Sequence, residues 1–414
     1  MAGSRSHYWR TLGPGLLFSG AAVGVSHLVQ STRAGALFGL ALAGIIILIN
    51  VLKYPAFRFG VDYGHATKRS LLAGYRELGL WAPVLFLLVI VPVTPIVVAA
   101  IGATTAGLIG ALTGVTLSVP VLAGLVIAAT VVLIIAGGYG WLDAVNRVLM
   151  AFLIVATVAT TVLVLPRVEW ATLGDFGWAA DPAAILFLVA LAGFMPNPLD
   201  VSIPQSIWTI EAETRNPDGR AVTLPEARLG FLSGYVLSAV LAVCFCIMGA
   251  GVMHANAVEP ASDAVGFATQ VVGLYRETLG EVPALLAAIS ALAVMLTTIF
   301  AAFDAYGRAF TSAYSEIADQ RDPGRLRRVY IAIVLAIAVS ALSAILFLLA
   351  DFKSFVDLAT SVAFLSAPII ATLNHMVVTR CALPDEARPG AAMRLLNLIA
   401  IVLMSALAAS YFIL

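Results

Sequence analysis

The chain has 414 residues, 61% hydrophobic and 11% charged, with 23 Lys and Arg balancing 23 Asp and Glu. Soluble domains carry roughly 25% charged residues, so the composition excludes a soluble enzyme or binding module and describes a polytopic helical membrane protein, with no basic patch for nucleic acid. Cys244, Cys246 and Cys381 build no disulfide framework; Cys244 and Cys246, two apart in an apolar helix, point to different faces and read as buried residues rather than metal ligands.

In chain order, eleven stretches come near the ~20 residues that a bilayer requires. They run over about 11–36, 39–60, 80–106, 117–137, 142–165, 183–208, 228–254, 282–307, 328–350, 354–378 and 392–413. Arg5 and Arg10 before the first stretch imitate a signal peptide, but the many later spans argue against cleavage. The first span is interrupted. Gly20 and Gly24 weaken its helix, and Ser26, His27, Gln30, Ser31 and Thr32 stand where lipid-facing leucines would be expected. The pattern predicts a break near 24–27, with Ser26 capping a second half-helix whose N–H groups face a cavity. His27, an intramembrane histidine, is a functional candidate by default, set against a plain hydrogen-bonded histidine. Arg33 reads equally as an outer-interface residue or as part of a pathway.

Pro83, Pro92 and Pro95 kink the third span without adding chemistry. The sixth span carries the stretch from Ala192 to Asp200, with prolines at 196 and 198. Neither proline has an N–H, so the carbonyls of Ala192 and Phe194 lose their helical partners, and Met195 and Asn197 are pushed out of helical geometry. Broken backbone at membrane depth is tolerated only where protein or a wet cavity receives its polar groups, and in transporters such breaks mark the substrate site. The eighth span holds Thr297 and Thr298, hydroxyls of a kind that mostly serves packing, and Asp304, one turn from Arg308 and readable as its ion-pair partner. Asp357, Ser361, Ser366 and Pro368 lie on the tenth. With the N-terminus in the cytoplasm, nineteen of the 23 Lys and Arg residues fall on the cytoplasmic side and Arg33, Arg167, Arg276 and Lys353 outside. That bias places the N-terminus inside, the C-terminus outside, and the Ala255 to Glu281 connection outside.

At these residues the chain resembles a known family. Met195-Pro196-Asn197 is similar to the MPH motif in the sixth span of the Nramp (natural-resistance-associated macrophage protein) divalent-metal transporters. Gly13-Pro14-Gly15 and Ala34-Gly35-Ala36 resemble the GPG and AGA that flank the family's first break. The resemblance covers nearly the whole chain and implies an all-α integral membrane protein of the leucine-transporter (LeuT) fold. It implies one transmembrane domain over 1–414, with inverted five-helix repeats at about 11–166 and 182–378, broken helices 1 and 6, and an extra helix at 392–413. It is nearest to a divergent bacterial branch with SHL in span one and MPxPLDVS in span six. The family's metal motif, DPGN, aligns with Gly24-Val25-Ser26-His27, so its metal-binding Asp is Gly24 and its Asn is His27. The His of MPH is Asn197, and a second histidine on the family's proton route falls at Ser202. Met195 alone is retained. Asp200, one turn beyond the break, is a displaced carboxylate that nothing in the sequence aims at an ion.

These departures separate two substrates. A divalent cation needs anionic ligands to offset its dehydration, whereas half-helix N-termini after Ser26 and Pro198 favour an anion. Similarity to Nramp-related bicarbonate carriers points the same way. The sequence reading is therefore a secondary transporter working by alternating access on a small anion such as bicarbonate, with a divalent metal cation (Mn, Fe or Mg class) as the alternative. The expected substrate-binding set is Gly24, Ser26, His27, Met195 and Asn197, of which Met195, His27 and Asn197 serve if the substrate is a metal. Asp200, Ser202, Thr297, Thr298 and Asp304 are candidates for pathway or coupling. Sodium or a proton is the coupling ion; no cofactor, nucleic acid, obligate protein partner or enzymatic activity is expected. The expected location is a bacterial inner membrane.

Overall fold

In lipid each backbone N–H and C=O must find its partner within the protein, which leaves the helix as the default for apolar segments of this length. The computed structural model describes residues 23–137, 140–214 and 221–414. Gly13-Pro14-Gly15, the first half of the first span, and the cationic Arg5, Arg10, Arg215 and Arg220 lie outside these residues. Among the described residues there are helices and no strand, and ten helices are long and apolar enough to cross a membrane. They coincide with the second to eleventh expected spans.

The described part of span one opens as a π-helical turn, Ser26–Ser31, and continues as α1 (Thr32–Phe38). Next come α2 (Ala43–Thr67), the short α3 (Leu71–Leu78), α4 (Trp81–Thr113), α5 (Val119–Ala136) and α6 (Gly140–Val164). Span six is split into α7 (Pro182–Phe194) and α8 (Ser202–Thr214). The chain then runs through α9 (Leu224–Met248), α10 (Ala264–Leu279), α11 (Glu281–Ala318), α12 (Pro323–Leu348), α13 (Phe352–Arg380) and α14 (Ala391–Ser410). Helix starts follow local chemistry. Asp181, Asp263, Asp322 and Asp351 accept from early backbone N–H groups, and Thr223 with Glu226 forms a capping box.

Lipid supplies no hydrophobic drive between helices, so small residues that let backbones approach closely decide the packing. A Cβ on Gly193 of α7 would lie 1.8 Å from the Thr360 carbonyl oxygen of α13. Gly35 of α1 and Gly249 after α9 are similarly set, 1.9 Å from the Cys246 oxygen and 2.2 Å from the Thr32 oxygen. Gly60 and Gly64 put α2 on the Ser202 and Ser206 carbonyls of α8. Both half-helices of span six are therefore clamped against neighbours. Cys244, Cys246 and Cys381 are free thiols inside the protein.

One residue of the charge count is misplaced by the sequence. Lys53, counted with the cytoplasmic-side cations although it stands within the second span, is fully buried within α2. The helix does not stop near residue 60 but continues to Thr67, which carries Lys53 to mid-span rather than to a helix end.

Candidate functional site

Span six breaks where its prolines require. α7 ends at Phe194, and Met195 and Pro198 are extended, with ψ of 120° and 139°; the Met195–Pro196 peptide is cis. In span one, Val23 and Gly24 are non-helical, and the first helical bonds run from the N–H groups of His27 and Leu28 to the Gly24 carbonyl at 3.2 and 3.0 Å. Ser26 Oγ lies 3.4 Å from the Pro196 carbonyl oxygen, so the two breaks meet as expected. Instead of lining an open cavity, the residues of the junction are packed: Met195, Asn197 and Gly24 are all buried.

Of the two carbonyls freed by the prolines, that of Ala192 is taken by Lys53, together with two other carbonyls of the break. Its ammonium donates to the carbonyl oxygens of Ala192 at 2.6 Å, Gly193 at 3.0 Å and Asn197 at 3.2 Å. Three N–H donors thus meet three acceptors, at the negative end of the α7 dipole. The opposite end of the break carries the opposite charge. Asp200 lies in the 3₁₀ turn Leu199–Val201 that leads into α8, over its own backbone N–H and facing the Tyr306 hydroxyl. Its Oδ1 has no hydrogen-bond partner, and the carboxylate is electrostatically coupled to Lys53. A lysine inside an apolar span is itself a functional signal, and that signal was available in the sequence at Lys53.

Two expectations about span one change. Ser26 does not cap the half-helix: Val25 is already helical and no side-chain cap bond forms, because the first turn is closed by the Gly24 carbonyl. The Ser26 hydroxyl instead reaches His27 Nδ1 at 2.7 Å. His27 Nε2 lies 2.8 Å from the Ser238 carbonyl oxygen of α9. A carbonyl only accepts, so in the neutral ring Nε2 carries the proton and Nδ1 accepts from Ser26. The ring is directed toward α9, with Nε2 engaged by Ser238 and Nδ1 by the neighbouring Ser26.

The remaining candidates divide by location. Thr298 is beside the first break, its Cγ2 3.1 Å from where a Cβ on Gly24 would stand. The Thr297 and Thr298 hydroxyls donate within α11, both to the Val294 carbonyl. Ser202 Oγ accepts from Asn374 Nδ2 of α13 at 2.8 Å, and Asn374 also accepts from Tyr75, which makes a polar link below the break. Asp304 is not at the junction. It pairs with Arg308 at 2.7 Å and accepts from Tyr330 at 2.8 Å, and Arg308 also reaches Glu211 at the end of α8. Glu213, nearby, is bound by His65 and Lys68 of α2.

The other end of the bundle has a matching tie. Arg33 holds Asp357 with two parallel bonds of 2.6 and 2.8 Å, Gln30 joins both, and the guanidinium lies 5.2 Å from the centroid of the Phe187 ring. Arg33 therefore connects α1, α7 and α13. Ion pairs bridge the helices at both ends of the junction. Among the described residues, no group of three or more His, Cys, Asp or Glu is placed to hold a metal, so any cation at the junction would rely on carbonyls, Met195 and Asp200.

The uncharacterized protein PM0681 of Pasteurella multocida is 32% identical over 374 residues, covering 89% of this chain and 85% of that protein. The divalent metal cation transporter MntH of Xylella fastidiosa is 26% identical over 276 residues, 62% of this chain and 56% of its own length. Crystal structures of the manganese transporter of Eremococcus coleocola superpose with a TM-score of 0.72 at 14% identity, over 97% of this chain and 85% of that one. MhsT in complex with L-phenylalanine gives 0.68 at 18% identity, over 96% and 98%. The model of the natural resistance-associated macrophage protein-like family matches residues 15–414. A broken sixth span with Met195 at its centre, the described part of the first span starting against it and a family match over nearly the whole length agree: this chain is a member of the Nramp family of membrane transporters.

Proposed function

We propose that the chain is a secondary transporter that passes a divalent metal cation, of the Mn, Fe or Mg class, through the meeting point of its two breaks by alternating access. This reverses the order favoured by the sequence. The relatives with a named substrate support it, being a divalent metal cation transporter and a manganese transporter. Two arguments for an anion also weaken. The half-helix end after Pro198 already has Asp200 as its anion, and His27 is turned toward Ser238. The observation that carries the reading is Met195, buried at the break: a thioether is a soft donor, which favours the transition metals of the class over Mg and offers an oxyanion nothing. A small anion such as bicarbonate is the second reading. Gly24 in place of a carboxylate and the Lys53 ammonium in the break favour it.

Uptake into proteoliposomes separates the two. Mn²⁺ uptake is expected, with Met195→Ala reducing it roughly ten-fold or more, the loss of one good ligand contact. Bicarbonate flux without Mn²⁺ uptake, indifferent to Met195→Ala, would replace the first reading by the second. The same vesicles under a sodium gradient or a pH gradient identify the coupling ion; Thr298→Ala would abolish a sodium response if Thr298 helps to bind sodium.

The cationic side chains near the ends of α8, α11 and α13 support an orientation with those ends in the cytoplasm, and the bacterial relatives support an inner-membrane location. In intact cells, a cysteine replacing the exposed Glu259 is expected to react with an impermeant maleimide, while one replacing the exposed Gly324 stays protected. The opposite labelling pattern would invert the orientation.

A further inference from the structure

Carbonyls freed at the C-terminal end of a half-helix are the ligands that a broken span offers to a cation. Here they are engaged by a side chain of the same protein. Lys53 holds the Ala192, Gly193 and Asn197 oxygens, so an ion that took these three ligands would lie beside the ammonium. We propose that Lys53 is an internal competitor for the transported cation: its ammonium occupies the carbonyl cradle in the empty carrier, and an incoming cation displaces it toward Asp200. The inference rests on the reading that a cation passes the breaks.

Three observations support the displacement. The lysine stem has four flexible carbons, and its head is a compact charge that can change partners. Asp200, buried three residues beyond the Asn197 carbonyl that Lys53 holds, keeps Oδ1 without a hydrogen-bond partner and so has a vacant acceptor. Like charges that shared the cradle would repel strongly in so dry a setting. Lys53 therefore sets the threshold at which a cation enters, and it refills the carbonyls when the cation leaves, which steadies the empty carrier during its return.

The test is Mn²⁺ binding to the purified full chain by calorimetry, with Mn²⁺ uptake kinetics in proteoliposomes, for wild type, Lys53→Met, Lys53→Gln and Lys53→Arg. Lys53→Gln removes the charge but keeps amide donors for the carbonyls. Both neutral variants are expected to bind Mn²⁺ about ten-fold tighter, with a lower KM and a lower kcat, because removing a charge this close outweighs ten-fold in affinity. Lys53→Arg, which keeps the charge but not the compact head, is expected to show no tightening of Mn²⁺ binding. A lysine that only braces the break would give the opposite sign, weaker binding in both neutral variants. Wild-type or weaker affinity in a monodisperse neutral variant overturns the proposal, as does failure to recover either neutral variant folded. If wild type takes up no Mn²⁺ while the neutral variants bind it, the competitor role stands and the substrate reading of the wild type falls.

Discussion

Gly193→Val is expected to abolish transport and to leave little monodisperse protein after detergent extraction. The first atom of the new side chain would sit 1.8 Å from the Thr360 carbonyl oxygen, inside any tolerable contact, and that atom is backbone, which no rotamer change can move aside. α7 would have to back away from α13. The retreat would drag the Gly193 and Ala192 carbonyls off the Lys53 ammonium and leave a buried charge without its acceptors. Overpacking a core costs about 1–3 kcal/mol, and breaking a buried charge contact costs about 3–5 kcal/mol, against a total stability of about 5–15 kcal/mol for typical domains. Size-exclusion profiles and thermal melts of Gly193→Ala and Gly193→Val should show graded loss. A well-folded, active valine variant would mean that the α7–α13 contact is looser than its geometry states. Gly124→Ala is the control, because the nearest atom to its Cβ would be a Leu342 methyl at 3.5 Å.

Gly24→Asp is expected to change ion binding more than any other substitution at the first break. A Cβ there meets the Thr298 Cγ2 methyl at 3.1 Å, the end of a side chain, so a shift of a few tenths of an ångström accommodates it. The carboxylate would add a second negative group, on the span-one side opposite Asp200, of the kind that a hard divalent cation favours. Mn²⁺ affinity is expected to tighten at least about ten-fold, which is 1.4 kcal/mol. Gly24→Asn has nearly the same volume without the charge and should give no comparable gain. If the carrier instead moves bicarbonate, Gly24→Asp should suppress that flux by repulsion, and the asparagine variant should retain most of it. Equal Mn²⁺ affinity in the Asp and Asn variants would show that residue 24 is out of reach of the ion. In that case the junction would have to bind its substrate through span six alone.

Much of the architecture was legible because the bilayer imposes a strong one-dimensional rule. An apolar run near ~20 residues must be a helix across the membrane, and ten of the eleven runs are seen as such among the described residues. The break in span six was equally local: prolines at 196 and 198 remove donors wherever the segment is placed. Helix starts at Asp181, Thr223, Asp322 and Asp351 could be read from the capping side chain alone. Ends were less secure. α2 and α11 run to Thr67 and Ala318, beyond the apolar stretches, because polar residues stay helical where the helix leaves the lipid.

What the sequence by itself determined was the set of elements, the break in span six and the family-like motif around Met195. These follow from short-range chemistry, hydrophobic length and missing N–H groups, which act within a few residues. Partnership was decided only by the tertiary structure. Lys53 and Ala192 are 139 positions apart, His27 and Ser238 are 211 apart, and Arg33 and Asp357 are 324 apart. Helical periodicity says which face a side chain is on, but not which helix that face will meet. That is why His27, expected at the ion, turns to α9, and why Lys53, counted only as a cytoplasmic-side cation, meets the break. The neighbours were chosen by glycines at 35, 60, 193 and 249, whose missing side chains let particular backbones touch. The charges then settled against whatever carbonyls and carboxylates those contacts brought within reach, because a buried charge left without partners is too costly to persist.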